Sequence, residues 1–187
     1  MIYFTSDLHL FHKSIIKYCN RPFTDVSDMN AQLIWNWNNT VPPGSDVYFL
    51  GDLAFCQRHD VVENILTCLS GTKYLIKGNH DKDINKVKDS FAWVKDYYKL
   101  RWNNYKIILM HYPLRSWDCM HHGSLMLHGH CHGTLTEDQH SKIMDIGIDA
   151  TAARLGGGRE DYRPVSMDEV LTYMQTKLPF IPVDHHT

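Results

Sequence analysis

Five short apolar runs in this chain each end on side chains that can hold a metal ion or move a proton. Ile2–His9 ends on Asp7 and His9, Asp46–Asp52 on Gly51-Asp52, Tyr74–Asp81 on Gly78-Asn79-His80-Asp81, Ile107–His111 on His111, and Leu125–His132 on Gly129-His130-Cys131-His132. If extended backbone persists beyond the first run, the two-residue repeat of a strand points Asp7 and His9 to one side. A carboxylate and an imidazole are then aimed at one point. Asp52, Asn79, His111, His130 and His132 arrive from separate strand ends, where α/β sheets gather functional groups. Together these are two carboxylates, one amide oxygen and four imidazoles. Such a mixed oxygen and nitrogen set suits Mn, Fe, Zn, Ni or Co better than Ca or Mg. No thiolates stand at ligand spacing, which disfavours a structural zinc finger. Alone, an Asp or His after a strand is usually a cap or a satisfied polar group. The ordered series, each member behind an apolar run, carries the metal reading.

The elements that must position these groups follow from patterning. Ile2–Thr5, the run into Asp52, Lys73–Lys77, Trp93–Leu100, Tyr105–Met110, Leu125–Leu127 and the alternating Lys142–Asp149 read as strands. Asn103-Asn104 suits a tight turn between two of them. Helical turns are expected over His12–Tyr18, ending before Pro22. A helix is expected over Met29–Asn38, capped by Ser27 or Asp28. A further helix covers Asp60–Leu69 and closes at Ser70-Gly71. Asp83–Ser90 reads as a charged surface helix or loop, Arg115–Gly123 as an irregular loop and Gly156-Gly157-Gly158 as a loop. A last helix covers Val165–Gln175, with Ser166 and Glu169 as a capping box. Trp35 and Trp37 are expected in the core, with base stacking as the alternative. Strands alternating with helices argue a layered α/β domain.

Length and composition bound the rest. At 187 residues and 43% hydrophobic, one domain with a real core is expected, over residues 1–178, with a short tail at 179–187. The formal charge of −2 gives no basic footprint for nucleic acid. Five cysteines without paired spacing read as free thiols in a reducing compartment. The sequence reaches Asp7 with no apolar h-region before it, and no apolar run approaches transmembrane length. The expectation is a cytoplasmic protein without membrane partners. The thirteen histidines are scattered rather than in one run, and the terminal pair His185/His186 is given no role.

The series Asp7-x-His9, Gly51-Asp52, Gly78-Asn79-His80-Asp81, His111 and Gly129-His130-x-His132 resembles the calcineurin-like metallophosphoesterases, with every motif of that family in order. The flanking text is similar to a small single-domain bacterial and phage-type subgroup. The likeness lies in Tyr18-Cys19-Asn20-Arg21-Pro22-Phe23, Leu50-Gly51-Asp52-Leu53-Ala54-Phe55, His128-Gly129-His130 and Tyr162-Arg163-Pro164-Val165-Ser166. The resemblance implies a four-layer αββα sandwich of two mixed β-sheets flanked by helices. It implies two divalent metal ions, one held by Asp7, His9, Asp52 and His132 and the other by Asp52, Asn79, His111 and His130, with Asp52 bridging. Manganese is the first expectation, with Fe, Zn, Ni or Co as alternatives. The chain departs from the protein phosphatases of the family, which continue past Gly-Asp with Val-Asp-Arg-Gly. Here Asp52-Leu53-Ala54-Phe55-Cys56 follows, which leaves the phosphodiesterase and nuclease branches more open.

The implied activity is a dinuclear phosphoester hydrolase, a phosphodiesterase before a monoesterase. It would act on small or nucleotide-type phosphoesters through a metal-bridging hydroxide. Nucleic acid stays open as a substrate, though charge does not point to it. His80 is expected to be catalytic, stabilising or protonating the leaving oxygen. Asp81 orients His80 or caps a turn. His12 and Arg21 are candidates for substrate binding, Arg21 by its fork, with a salt bridge as the alternative. His128 is a candidate support for a ligand or a core histidine, and His121 and His122 are expected at the surface. An inert binding scaffold of the same fold, and a hydrolase of non-phosphate esters, are the alternatives from other classes.

Overall fold

A computed structural model describes residues 1–181. The terminal pair His185/His186 lies outside the described residues, as does most of the expected tail. Nine strands form two sheets among the described residues. In the first, β1 (Ile2–Thr5), β2 (Asp46–Phe49), β3 (Thr72–Ile76) and β4 (Val94–Lys95) run parallel, and β9 (Val165–Ser166) joins β1 antiparallel. In the second, β5 (Tyr97–Trp102) pairs antiparallel with β6 (Tyr105–Met110). From there β6, β7 (Leu125–His128) and β8 (Ile143–Asp145) run parallel. Both sheets are mixed, and helices complete the α/β sandwich.

Period two sorts each strand between layers. Phe4, Tyr48, Leu50 and Ile76 of the first sheet meet Leu100, Ile107, Leu109, Leu125, Leu127 and Met144 of the second in one buried core. The alternate residues Tyr3, Val47, Phe49 and Leu75 face outward onto a second core. Their cover comes from α1 (Lys13–Tyr18), α2 (Val26–Thr40), α3 (His59–Cys68) and α4 (Ile148–Leu155), through Ile15, Leu33, Trp37, Leu66 and Ile148. The outer face of the second sheet, Ile108, Met126 and Ile143, is covered by Trp117 and Met120 with Leu114 and Phe180 packed on them. That layer is an irregular segment with one short 3-10 turn at Met120–His122 rather than a long helix. Phe180 therefore packs on the domain although it stands beyond residue 178. The last helix, α5 (Met167–Gln175), starts on the expected box: Ser166 Oγ accepts from the Glu169 N–H at 3.2 Å and Glu169 Oε2 accepts from the Ser166 N–H at 2.8 Å.

Several boundaries differ from the sequence reading. The cap of α2 is Asp25, whose carboxylate accepts from the N–H groups of Ser27 and Asp28; Asp28 instead pairs with Arg159. Trp93–Leu100 is not one strand. Val94–Lys95 closes the first sheet and Tyr97 opens the second, so the apolar alternation continues across a change of sheet. The strand expected over Lys142–Asp149 stops at Asp145, and α4 begins at Ile148. Its Ala-rich run favours helix, but Met144, Ile146 and Ile148 mimic alternation. Trp37 is buried in the core, whereas Trp35 is exposed on α2, contrary to the core expectation for it. All five cysteines are free thiols. Among the described residues, no helix is long and apolar enough to cross a membrane.

Candidate metal centre

Parallel strands β1, β2, β3, β6 and β7 deliver their carboxyl ends to one edge of the sandwich, and all seven expected ligands and His80 follow those ends. The backbone there is unusual. Asp7, His9, Asp52, His130 and His132 all have positive φ, between 49° and 68°. For non-glycine residues this region costs of order 1–3 kcal/mol each and gathers at functional sites. Extended geometry therefore does not persist past β1, contrary to the simple period-two expectation. Asp7 and His9 converge because each turns through a left-handed step, held by Asp7 N–H to Gly51 O at 2.9 Å and His9 N–H to Asp52 O at 3.0 Å. Gly51, at φ +97°, allows the close crossing of two ligand loops: a Cβ there would stand 2.5 Å from Gly78 N.

Each carboxylate ties two motifs together with one oxygen and presents the other to the cluster. Asp7 Oδ2 accepts from the His130 N–H at 2.9 Å, and Asp52 Oδ1 accepts from the His80 N–H at 2.8 Å. The free oxygens face imidazoles. Asp7 Oδ1 lies 4.0 Å from His9 Nε2, and Asp52 Oδ2 lies 3.6 Å from both His9 Nε2 and His111 Nε2. Asn79 Oδ1 lies 2.9 Å from His111 Nε2 and 3.0 Å from His130 Nδ1. His111 Nδ1 donates to Leu50 O at 2.7 Å, so its Nε2 is a lone pair facing the Asn79 oxygen. A shared cation satisfies that arrangement.

The fit to divalent ions can be tested on these distances. Donors about 2.0–2.2 Å from one ion stand no more than roughly 4.4 Å apart, and every separation above, from 2.9 to 4.0 Å, is within that reach. Asp7 Oδ1 and His9 Nε2 are buried without a hydrogen-bond partner, an arrangement that costs energy unless something else binds there. Three sets of donor atoms within 4.8 Å of one another could hold a cation among the described residues: Asp7/His9/His132, Asp7/Asp52/His111 and, beneath them, Cys19/His132/Asp149. Electrostatics agree. Burial pushes the Asp7 carboxyl up to about 8, and burial with the neighbouring His132 pushes His9 down to about 2. A divalent cation offsets the first cost by favouring the carboxylate, and the second shift leaves His9 neutral, the form that binds metal.

Of the remaining expected residues, His80 is exposed at the rim, its ring centroid 5.4 Å from that of His9. His12 stands beside it, 5.7 Å from the His9 ring and 4.7 Å from Phe55. Asp81 caps the turn: its carboxylate accepts from the N–H groups of Asp52, Leu53 and Gly78 at 2.8–3.0 Å. His128 is fully buried and its Nδ1 is bonded to Gly129 O, a core position, while His121 and His122 are exposed. Arg21 does not fit the expected phosphate-binding role. Its side chain is 0% exposed, with its fork on Asp149 at 2.8 Å twice and further bonds to Leu8 O at 2.9 Å and Asp7 O at 2.8 Å. The guanidinium is consumed beneath the site, and the surface salt bridge weighed as its alternative is a buried one.

Two residues that sequence reasoning missed support the cluster. Asp149 accepts from His132 Nδ1 at 2.7 Å, fixing the ring and leaving Nε2 for a ligand. Burial lowers the His132 pKa, but the hydrogen bonds of Asp149 and Cys19 and the charges of Asp7 and Asp149 together outweigh it and bring the ring up to about 10, so a cation on Nε2 would take the place of a proton there. Asp145 accepts from the N–H groups of Gly133 and Gly147, each at 2.9 Å, and so holds the loop after His132. Both lie in the stretch read as a single strand. An Ala-rich helix starting just past Gly147 was the available signal for Asp149.

The sequence pattern of a family described as calcineurin-like phosphoesterase matches residues 1–160. The chain is 34% identical over 178 residues to an uncharacterized protein of Methanocaldococcus jannaschii, a match covering 93% of this chain and 91% of that one. It is 26% identical to the gene 66 protein of Mycobacterium phage L5, over 79% of this chain and 86% of the phage protein. Among solved structures, a protein of unknown function from Aquifex aeolicus shares the fold with a TM-score of 0.70. That likeness covers 92% of this chain and 98% of that one, at 23% identity.

Proposed function

This chain belongs to the calcineurin-like phosphoesterase family, and from that membership we propose that it is a dinuclear phosphodiesterase for small or nucleotide-type phosphoesters. One cation would be held by Asp7, His9, Asp52 and His132, the other by Asp52, Asn79, His111 and His130. Such ions, Mn first among Mn, Fe, Zn, Ni and Co, supply Lewis acidity and a water nucleophile active at neutral pH. The observation that carries the reading is the single oxygen Asp52 Oδ2, 3.6 Å from an imidazole nitrogen of each ligand set.

The chain's own groups do the rest. His80 is fixed through its backbone to Asp52 and its ring is exposed at the rim, so it gives a proton to the departing oxygen. His12 offers a ring N–H to a phosphoryl oxygen at the same rim. With Arg21 turned inward, the rim presents imidazoles rather than a guanidinium fork. That suits the single charge of a diester better than the dianion of a monoester. Free thiols at all five cysteines support a reducing, cytoplasmic setting. The test is chelation followed by Mn²⁺ addition, across a panel of phosphomonoesters, diesters and short nucleic acids. Restored turnover of diesters is expected. Activity that ignores the chelator, or that is confined to monoesters, would overturn the reading.

A further inference from the structure

Beside His80 the surface opens into a cavity of about 510 Å³. One wall is apolar, formed by Leu53, Ala54, Val62, Ile84 and Val87, with Phe55 at the lip; Gln57, His59, Asp81, Lys82 and Asp83 line the rest. Ligand pockets of about 300–1,000 Å³ with apolar walls and few polar groups are the usual small-molecule sites. Phe55 is the unusual member. It is 56% exposed, which leaves most of an aromatic ring in water beside the proton donor. Its ring centroid lies 6.0 Å from that of His80, edge to face, and 4.7 Å from that of His12. The backbone holds it there: the Phe55 N–H donates to Leu10 O at 2.7 Å, and Ala54 bridges to Leu10, one residue past His9. The loop that carries a metal ligand thus also fixes this ring.

Direction of attack decides what the cavity receives. In hydrolysis the water oxygen bonds to phosphorus, and the bond from phosphorus to the leaving oxygen breaks with its electron pair on that oxygen. His80 supplies the proton there, and the water's own proton passes to solvent. The leaving oxygen therefore sits against His80, and the organic group attached to it continues into the space beside His80. That space has one apolar wall and an exposed aromatic face at its lip, and it is larger than an alkyl alcohol needs.

We propose that this cavity is the leaving-group pocket, that it takes a nucleoside, and that Phe55 is the face on which the nucleobase stacks. The inference rests on the phosphodiesterase reading above. Stacking on an aromatic side chain tolerates every base, because each has a π-face, and Gln57 and His59 can meet donors and acceptors on the base edge.

The experiment compares two diesters that break at the same sugar hydroxyl and differ only in the base on the leaving sugar: dithymidine monophosphate and its counterpart lacking that base. Each is assayed with the Mn²⁺-loaded protein, alongside bis-p-nitrophenyl phosphate. The ratio of kcat/KM, with base over without, is expected to be about tenfold, the size of one stacked base. Phe55→Ala should bring the ratio near one, and Phe55→Trp should keep it. A ratio near one in the unaltered protein, or one unchanged in Phe55→Ala, overturns the pocket and leaves the hydrolase reading standing. So does cleavage of bis-p-nitrophenyl phosphate with neither dinucleotide cleaved. Absence of turnover on all three overturns the hydrolase reading and this inference with it.

Discussion

Replacing Arg21 with methionine separates a buried tie from a substrate contact. The guanidinium is 0% exposed and its partner Asp149 is 6% exposed, so the pair is shielded from solvent screening. Arg21→Met keeps the aliphatic volume but takes both guanidinium bonds from the buried Asp149 carboxylate, which keeps its His132 bond, and it leaves the carbonyls of Asp7 and Leu8 without their Arg21 donors. Removing one partner of a buried ion pair costs about 3–5 kcal/mol. For a chain of this size each kcal/mol moves Tm by about 2–4 °C, which gives a fall of roughly 6–20 °C. The assay is thermal and urea unfolding with chelator present, so that bound ions do not mask the loss. Metal affinity, measured separately, should fall about 10–100-fold, because Asp149, no longer anchored by Arg21, holds His132 less firmly. Arg21→Met with Asp149→Leu should lose less than the two single changes summed, since no charge is left stranded. A variant that unfolds within about 2 °C of the unaltered protein and shows only a raised KM would refute this reasoning and return Arg21 to the substrate.

Asp52→Asn keeps an acceptor for the His80 N–H but removes the charge between the two ligand sets. Metal analysis should show fewer than about two ions per chain, and full retention with normal activity would remove Asp52 from the bridge. His80→Ala should keep its metal and lose about 10²–10⁴ in turnover of bis-p-nitrophenyl phosphate; loss of metal with an unchanged rate per bound ion would contradict the role. Gly51→Ala places a Cβ 2.5 Å from Gly78 N at a φ of +97°, and should destabilise the protein by about 1–3 kcal/mol or more. Equal stability in urea unfolding would show that the two ligand loops can part at no cost.

Much of the candidate site was legible because its donor groups are written beside its strands. Asp7, His9, Asp52, Asn79, His111, His130 and His132 each follow an apolar run, and parallel strands in one sandwich bring their carboxyl ends to one edge. The Ser166–Glu169 box and the hairpin at Asn103-Asn104 were also legible, because capping and tight turns depend on residues within a few positions. Asp149 was hidden for the opposite reason. Its partners Arg21 and His132 are 128 and 17 positions away, and nothing local distinguishes its carboxylate from a helix-surface one.

The sequence by itself determined the donor types, their order and the strands that carry them, since these depend on residue chemistry and short-range periodicity. Tertiary structure alone decided that Arg21 faces inward, that a change of sheet cuts the run at Asp96, and that Phe55 stands exposed beside His80. It also decided that five of the seven expected ligands, Asp7, His9, Asp52, His130 and His132, turn through left-handed backbone rather than extended strand. Direction and burial are properties of how distant elements pack, and a side chain's identity constrains them only once its neighbours are in place.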